Sequence, residues 1–190
     1  MTEHARYEPP AGSIPTLEVP SLEGVTRVRS DGVRTVFRLP AVPQAERRPG
    51  ASIPIVSASA SSAAHDVRAA LDGDLSTRWL VEPQQPDQWV ELDLGEVRDV
   101  GLVELSLGGA HLDYPRRLVI SVSQGRTDWR VVWEGSTVGE AVLAAIRSPL
   151  EVRMQFGFEP QPARYVQLRQ TSDGGGTWSI AEARVHGGSD

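Results

Sequence analysis

Two carboxylates flank a glycine at Asp72-Gly73-Asp74, within the stretch RAALDGDLSTRWLVEPQQPDQWVELDLG from Arg68 to Gly95. Acidic side chains this close can hold a hard cation, which takes six to eight oxygens and accepts carboxylates and carbonyls together. The spacing is not that of a helix-loop-helix calcium loop. Counting from Asp72, the sixth position is Thr77 where glycine is needed, and the twelfth is Pro83 where glutamate is needed. Taken alone, the stretch reads as a plain turn in which Asp caps its own backbone. A second set of chemical groups lies in GGAHLDYPRR, where His111, Asp113, Tyr114 and Arg116 offer an imidazole, a carboxylate, a phenol and a guanidinium. Such a mixed set suits the recognition of hydroxyl groups. Its bland alternative is a Tyr114-Pro115 turn with Arg116 paired to Asp113 at the surface. A third feature is Trp178, which follows the glycine-rich loop Ser172–Thr177.

Other chemistries are excluded by composition. The chain contains no Lys, Asn or Cys, so all 19 basic residues are Arg. Walker phosphate loops, Schiff bases, thiol nucleophiles, disulfides and thiolate zinc sites are all ruled out. The joint absence of Lys and Asn fits a GC-rich coding sequence and a bacterial source. His4, His65, His111 and His186 are too dispersed for a metal cluster, and neither G-x-S-x-G nor H-E-x-x-H occurs. With 25 acidic residues many carboxylate pairs arise by accident, so a glycosidase pair has no specific support. The expectation is a protein that is not an enzyme. A net charge of -6 with scattered Arg argues against nucleic acid as partner. No apolar run approaches the ~20 residues of a membrane span, so direct membrane insertion by this chain is not expected, and any export signal would lie outside it.

The elements that must position these groups are mostly strands. At 190 residues the chain suits one good-sized domain plus an extension. Residues 1–50 are rich in Pro and read as an extension or linker, with a hairpin at 25–39 turning on Asp31-Gly32. From residue 52 to 188, β-rich runs recur between turn signals. QWVELDLG alternates strictly, with Val90, Leu92 and Leu94 on one face and Trp89, Glu91 and Asp93 on the other. VGLVELSLGG, RLVISVSQG, DWRVVWEG, EVRMQFGF, ARYVQLRQT and WSIAEARVHG follow as further strands. Only GEAVLAAIRSP reads as a helix, with Val138, Val142 and Ile146 at four-residue spacing. The tryptophans at 79, 89, 129 and 133 sit in or beside these runs and are expected in the core. The expected fold class is all-β.

In order along the chain, AALDGDLSTRW, QWVELDLGEVRDVGLVEL, DYPRRLVISVSQGRTDW, ARYVQLRQT and WSIAEARVHG resemble the discoidin family, also called coagulation factor 5/8 type C domains. The likeness covers residues 52–188 and is nearest to the bacterial family 32 carbohydrate-binding modules, since the cysteine pair of the animal members is missing. It implies a galactose-binding-domain-like jelly-roll β-sandwich. The turn at Arg126-Thr127, before Asp128-Trp129, is slightly longer than is usual in that family.

The resemblance also changes the reading of the Asp-Gly-Asp turn. It implies a structural calcium, or sodium, held by the side chains of Asp72, Thr77 and Glu182 and the carbonyls of Ala69, Asp74 and Ala181. It further implies a carbohydrate partner at the loops around 108–116 and 171–178. There Trp178 serves either as a stacking platform or as core. His111, Asp113, Tyr114 and Arg116 are candidates for the polar rim, with His111 the freest because Tyr-Pro-Arg resembles scaffold. The expected function is a non-catalytic, calcium-stabilised carbohydrate-binding module within a larger parent protein with other domains, on the extracellular or periplasmic face of a bacterial cell. The alternative is a structural or protein-binding accessory domain without a sugar site, such as the soluble end of a membrane glycosyltransferase.

Overall fold

The computed structural model describes residues 26–30, 35–38, 49–173 and 175–188. Contacts divide the chain into two compact units, residues 1–45 and 46–190. In the first, β1 (Thr26–Ser30) and β2 (Thr35–Arg38) form an antiparallel ladder, with Thr26 opposite Arg38 and Ser30 opposite Thr35. This is the pairing expected of the hairpin. The Asp31-Gly32 turn, and most of the Pro-rich extension, lie outside the described residues.

The second unit begins with β3 (Ser52–Ile53), β4 (Ser57–Ala60), a 3-10 helix (Ala64–Ala70) and β5 (Trp79–Val81). It continues through β6 (Trp89–Ser106), β7 (Arg117–Ser123), β8 (Arg130–Ser136) and α1 (Val138–Arg147). β9 (Arg153–Gln170), β10 (Trp178–Ile180) and β11 (Glu182–Gly187) complete it. The sequence runs read as separate strands are joined in β6 and β9, each 18 residues long. WSIAEARVHG is instead split at Ala181: β10 pairs with β5, whereas β11 pairs with β3 and β6.

The two long strands build the sandwich by changing partners. The first part of β6 lies between β4 and the end of β9, and its second part between β11 and the start of β9. The ladder is interrupted between Asp93 and Arg98, where Gly95 adopts a φ of +80° and donates its N–H to Asp93 Oδ1 at 2.8 Å. A residue with a Cβ disfavours that φ, so glycine lets the strand bend. Val90, Leu92 and Leu94 are buried in one cluster with Val103, Leu105, Met154, Phe156 and Leu168, as their alternation predicts. Their neighbour Glu91, placed on the outer face, is nevertheless only 8% exposed. It pairs with Arg126 Nε at 2.7 Å.

The helix forms where expected; its buried residues are Ala141 and Ala144, while Val138, Val142 and Ile146, whose spacing signalled it, are exposed. Ala141 and Ala144 join the hydrophobic core cluster, and the branched residues point away. One core expectation needs correcting. Of the four tryptophans expected in the core, only Trp79 is fully buried. Trp89, Trp129 and Trp133 are half-buried, and Trp133 meets Phe156 edge-on at 4.7 Å. Among the described residues no helix is long and apolar enough to cross a membrane.

On the outer face, Arg164 grips Asp93 with two hydrogen bonds of 2.9 and 3.1 Å. The guanidinium holds the Asp93 carboxyl below its ordinary range; burial opposes this, and the Gly95 N–H adds to it. A carboxyl with a depressed folded-state pKa stabilises the fold above its unfolded value of about 3.9, and this stabilisation is lost as pH falls through the folded value. Melting temperature measured from pH 6 downward should therefore fall more steeply in the wild type than in Asp93→Asn. Parallel curves would show that the pair adds nothing.

Candidate functional site

The loops carrying the candidate residues are tied together by a side chain that nothing in the sequence singled out. Gln84, in the Pro-flanked run VEPQQPD, is 1% exposed. Its Oε1 accepts the Arg116 N–H at 3.0 Å. Its Nε2 donates to Thr177 O at 3.2 Å and Tyr114 O at 3.4 Å, and its own N–H donates to Gly176 O at 2.7 Å. One amide thus fastens the 114–116 segment to the 176–177 segment. A buried glutamine with both side-chain polar atoms engaged fixes the geometry of the loops it joins, while its net contribution to stability is modest.

Around this staple the structure gathers three of the predicted residues and adds one. Asp113 accepts the Ser179 N–H on its carbonyl at 2.8 Å and the Ser179 hydroxyl on Oδ2 at 3.3 Å. Its ion-pair partner is Arg78, at 3.3 Å, in place of the expected Arg116. The Arg116 guanidinium lies over the Tyr114 ring, 4.1 Å from its centroid, and its Nη1 is buried without a hydrogen-bond partner. Gly176 faces this guanidinium: a Cβ there would stand 3.3 Å from Arg116 Nη2. Arg78 could not have been found from the sequence, because 35 positions separate it from Asp113.

His111 is exposed, but it is less free than expected, since its Nε2 contacts the Pro149 carbonyl. Trp178 overturns the platform reading. Its side chain is 0% exposed and meets Trp79 edge-on, with centroids 4.9 Å apart and rings at 88°. Trp178 starts β10 opposite Val81 of β5, and this pairing turns the indole into the core beside Trp79. It is a packing residue, and its Nε1 has no partner.

The second group lies in the Asp72–Thr77 turn and at the start of β11. Thr77 Oγ1 stands 2.7 Å from Asp72 Oδ2 and 2.9 Å from Asp74 O, so three oxygens converge. Glu182, 9% exposed, accepts the Gly73 N–H on Oε2 at 3.0 Å and so joins the turn to the last strand. The Asp74 carboxylate faces away, accepting from Ser76 Oγ and Ser76 N–H, which hold its pKa below the ordinary value. Only its carbonyl is turned inward. Ala69 lies on the 3-10 helix, and Ala181 joins β10 to β11 with its N–H on Ser106 O at 2.8 Å. Gly108 lets this corner close: its φ is +55°, and a Cβ there would stand 2.6 Å from Leu75 O. Among the described residues no three His, Cys, Asp or Glu side chains come together as a metal cluster. The donors present are two carboxylates, a hydroxyl and carbonyls. That set fits a hard cation and does not fit zinc or copper.

Residues 55–183 match the F5/8 type C domain family. No curated protein sequence matches the chain significantly. Among solved structures, chitosan-binding module 1 of a chitosanase/glucanase from Paenibacillus sp. IK-5 is 27% identical, with 69% of this chain and 94% of that chain covered and a TM-score of 0.52. The family 32 module of NanJ from Clostridium perfringens, solved with galactose, is 21% identical, with 70% and 96% covered and a TM-score of 0.58. The family 32 module of AlyQ, solved with 4,5-unsaturated mannuronic acid, is 21% identical, with 71% and 97% covered and a TM-score of 0.55.

Proposed function

The chain belongs to the F5/8 type C domain family and has the fold of a carbohydrate-binding module, and from that premise we propose that it binds carbohydrate without catalysis at the loops fastened by Gln84. The observation that carries this reading is the convergence of Arg78, Asp113, Tyr114 and Arg116 on one loop cluster. Donors and acceptors held in place by a buried amide can meet sugar hydroxyls without first being ordered. The solved relatives that bind galactose and mannuronic acid support a sugar as partner. A structural calcium in the Asp72–Thr77 turn, a larger bacterial parent protein and a place on the extracellular or periplasmic face complete the proposal.

The site lacks Trp178 as a stacking surface, so affinity is expected to be weak, with a Kd on the order of 1 mM for a monosaccharide. A glycan array followed by calorimetry should find a sugar whose binding weakens about tenfold or more in Asp113→Ala and in Arg116→Ala, with circular dichroism unchanged. The burial of Trp178 favours a second reading, an accessory domain with structural or protein-binding work, such as the soluble end of a membrane glycosyltransferase. Absence of any glycan signal on the array, or a sugar response left unaltered in both variants, would leave that second reading standing.

A further inference from the structure

At the far end of β7 the chain builds a cleft that the loops above do not use. Leu118 of β7 pairs with Gln170, and Ser123 pairs with Tyr165. Six residues of strand, at ~3.3 Å each, therefore separate this end from Arg117 by about 20 Å. The turn from β7 into β8 and the bend of β9 border a half-open cleft of about 420 Å³, lined by Val122, Gln124, Asp128, Arg130, Gln161 and Pro162. That volume lies in the lower part of the range of small-molecule pockets, about 300–1,000 Å³.

The wall of the cleft is held in one shape by contacts of its own. Ser123 Oγ accepts the N–H groups of Gly125 at 3.3 Å and Arg126 at 2.9 Å. Arg126 has a φ of +66°, a conformation that a residue with a Cβ rarely adopts. Its side chain holds it there: Nε pairs with Glu91 Oε1 at 2.7 Å, and the guanidinium lies 4.2 Å from the centroid of the Tyr165 ring. Strain kept in place by surrounding contacts is a mark of functional segments. A wall ordered in advance also avoids the entropy cost of closing around a ligand.

The lining defines the chemistry. Asp128 accepts hydrogen bonds, Arg130 donates them, and the amides of Gln124 and Gln161 do both; Arg130 Nη1 is already 2.7 Å from Gln161 Oε1. One negative and one positive side chain leave the cleft with no net charge, so neither an anion nor a cation is favoured. Val122 and Pro162 add apolar surface. Hydroxyl groups, each donor and acceptor at once, match the polar groups, and C–H faces match the apolar ones. We infer that this cleft is a second binding site, for a neutral polyhydroxylated ligand the size of a small sugar. The inference stands independently of sugar binding at the Gln84-fastened loops.

The test is a titration of the full 190-residue chain, labelled with nitrogen-15, with the methyl glycosides of galactose, glucose and N-acetylglucosamine in turn. At least one should produce saturable shifts in the amides of Gly125, Asp128 and Arg130 and in the Gln161 side-chain amide, with a Kd on the order of 1–10 mM. Gln161→Ala and Asp128→Ala should each weaken that response about fivefold or more while melting close to the wild type. If either variant melts early, Arg130→Ala takes its place. Shifts at 123–130 without any at 111–116 would uphold this site and sink the loop site. Shifts confined to 111–116, no saturable shift at all, or equal responses in wild type and variants would each overturn it.

Discussion

Replacing Trp178 with alanine is expected to destabilise the domain by about 3–5 kcal/mol, the usual cost of emptying a fully buried Trp site. The indole is 0% exposed, packs edge-on against Trp79 and sits in the main hydrophobic cluster. For a domain of this size each kcal/mol moves the melting temperature by roughly 2–4 °C, so a fall on the order of 10 °C should be visible by calorimetry. Such a loss consumes a large part of an ordinary domain stability of about 5–15 kcal/mol. Trp178→Phe supplies the internal check. It leaves a smaller cavity and also removes the unpartnered Nε1 donor, whose burial is itself unfavourable. It should therefore cost clearly less than Trp178→Ala. An exposed stacking residue would behave in the opposite way, with stability changed by less than ~0.5 kcal/mol on removal. A melting temperature for Trp178→Ala within 1–2 °C of wild type, a shift too small for a buried Trp, would refute the core assignment.

Calcium is expected to produce the second large effect. An ion held by the folded state alone, at about a hundred times its Kd, adds ~2.7 kcal/mol, which corresponds to roughly 5–10 °C. Thr77 Oγ1, Asp72 Oδ2 and Asp74 O already lie within 2.9 Å of contact with Thr77 at the centre, and Glu182 ties the turn to β11. Chelation should lower the melting temperature and added calcium restore it. Glu182→Ala removes a carboxylate and a hydrogen bond together, so its own stability is a poor readout. The informative quantity is the difference between calcium and chelator, which should vanish in that variant. Restoration by sodium at high concentration would identify the softer-held ion. Identical melting of the wild type in calcium, sodium and chelator would remove the metal from this corner.

Much of the architecture is legible in the amino-acid sequence for a simple physical reason. A strand with one face in the core repeats every two residues, so QWVELDLG by itself places Val90, Leu92 and Leu94 inward, and they are buried. The hairpin arms, the α-helix and the blocks that carry the family likeness are similarly local, since each depends on residues close together along the chain. The helix shows where this stops: spacing predicted its existence, but which of its residues face the sandwich, Ala141 and Ala144, depends on how the helix docks, which periodicity does not encode.

The candidate site was decided almost wholly by tertiary structure. Trp178 stands at the junction of a loop and a three-residue strand, too short for alternation to assign a face; its pairing with β5, nearly a hundred residues earlier, turned it inward. Asp113 sits three residues from Arg116 yet pairs with Arg78, because Coulomb attraction depends on distance in space. Gln84 carries no local signal at all. Its importance comes from an amide that reaches both the 114–116 and the 176–177 segments, a relation that exists only after the sandwich has folded.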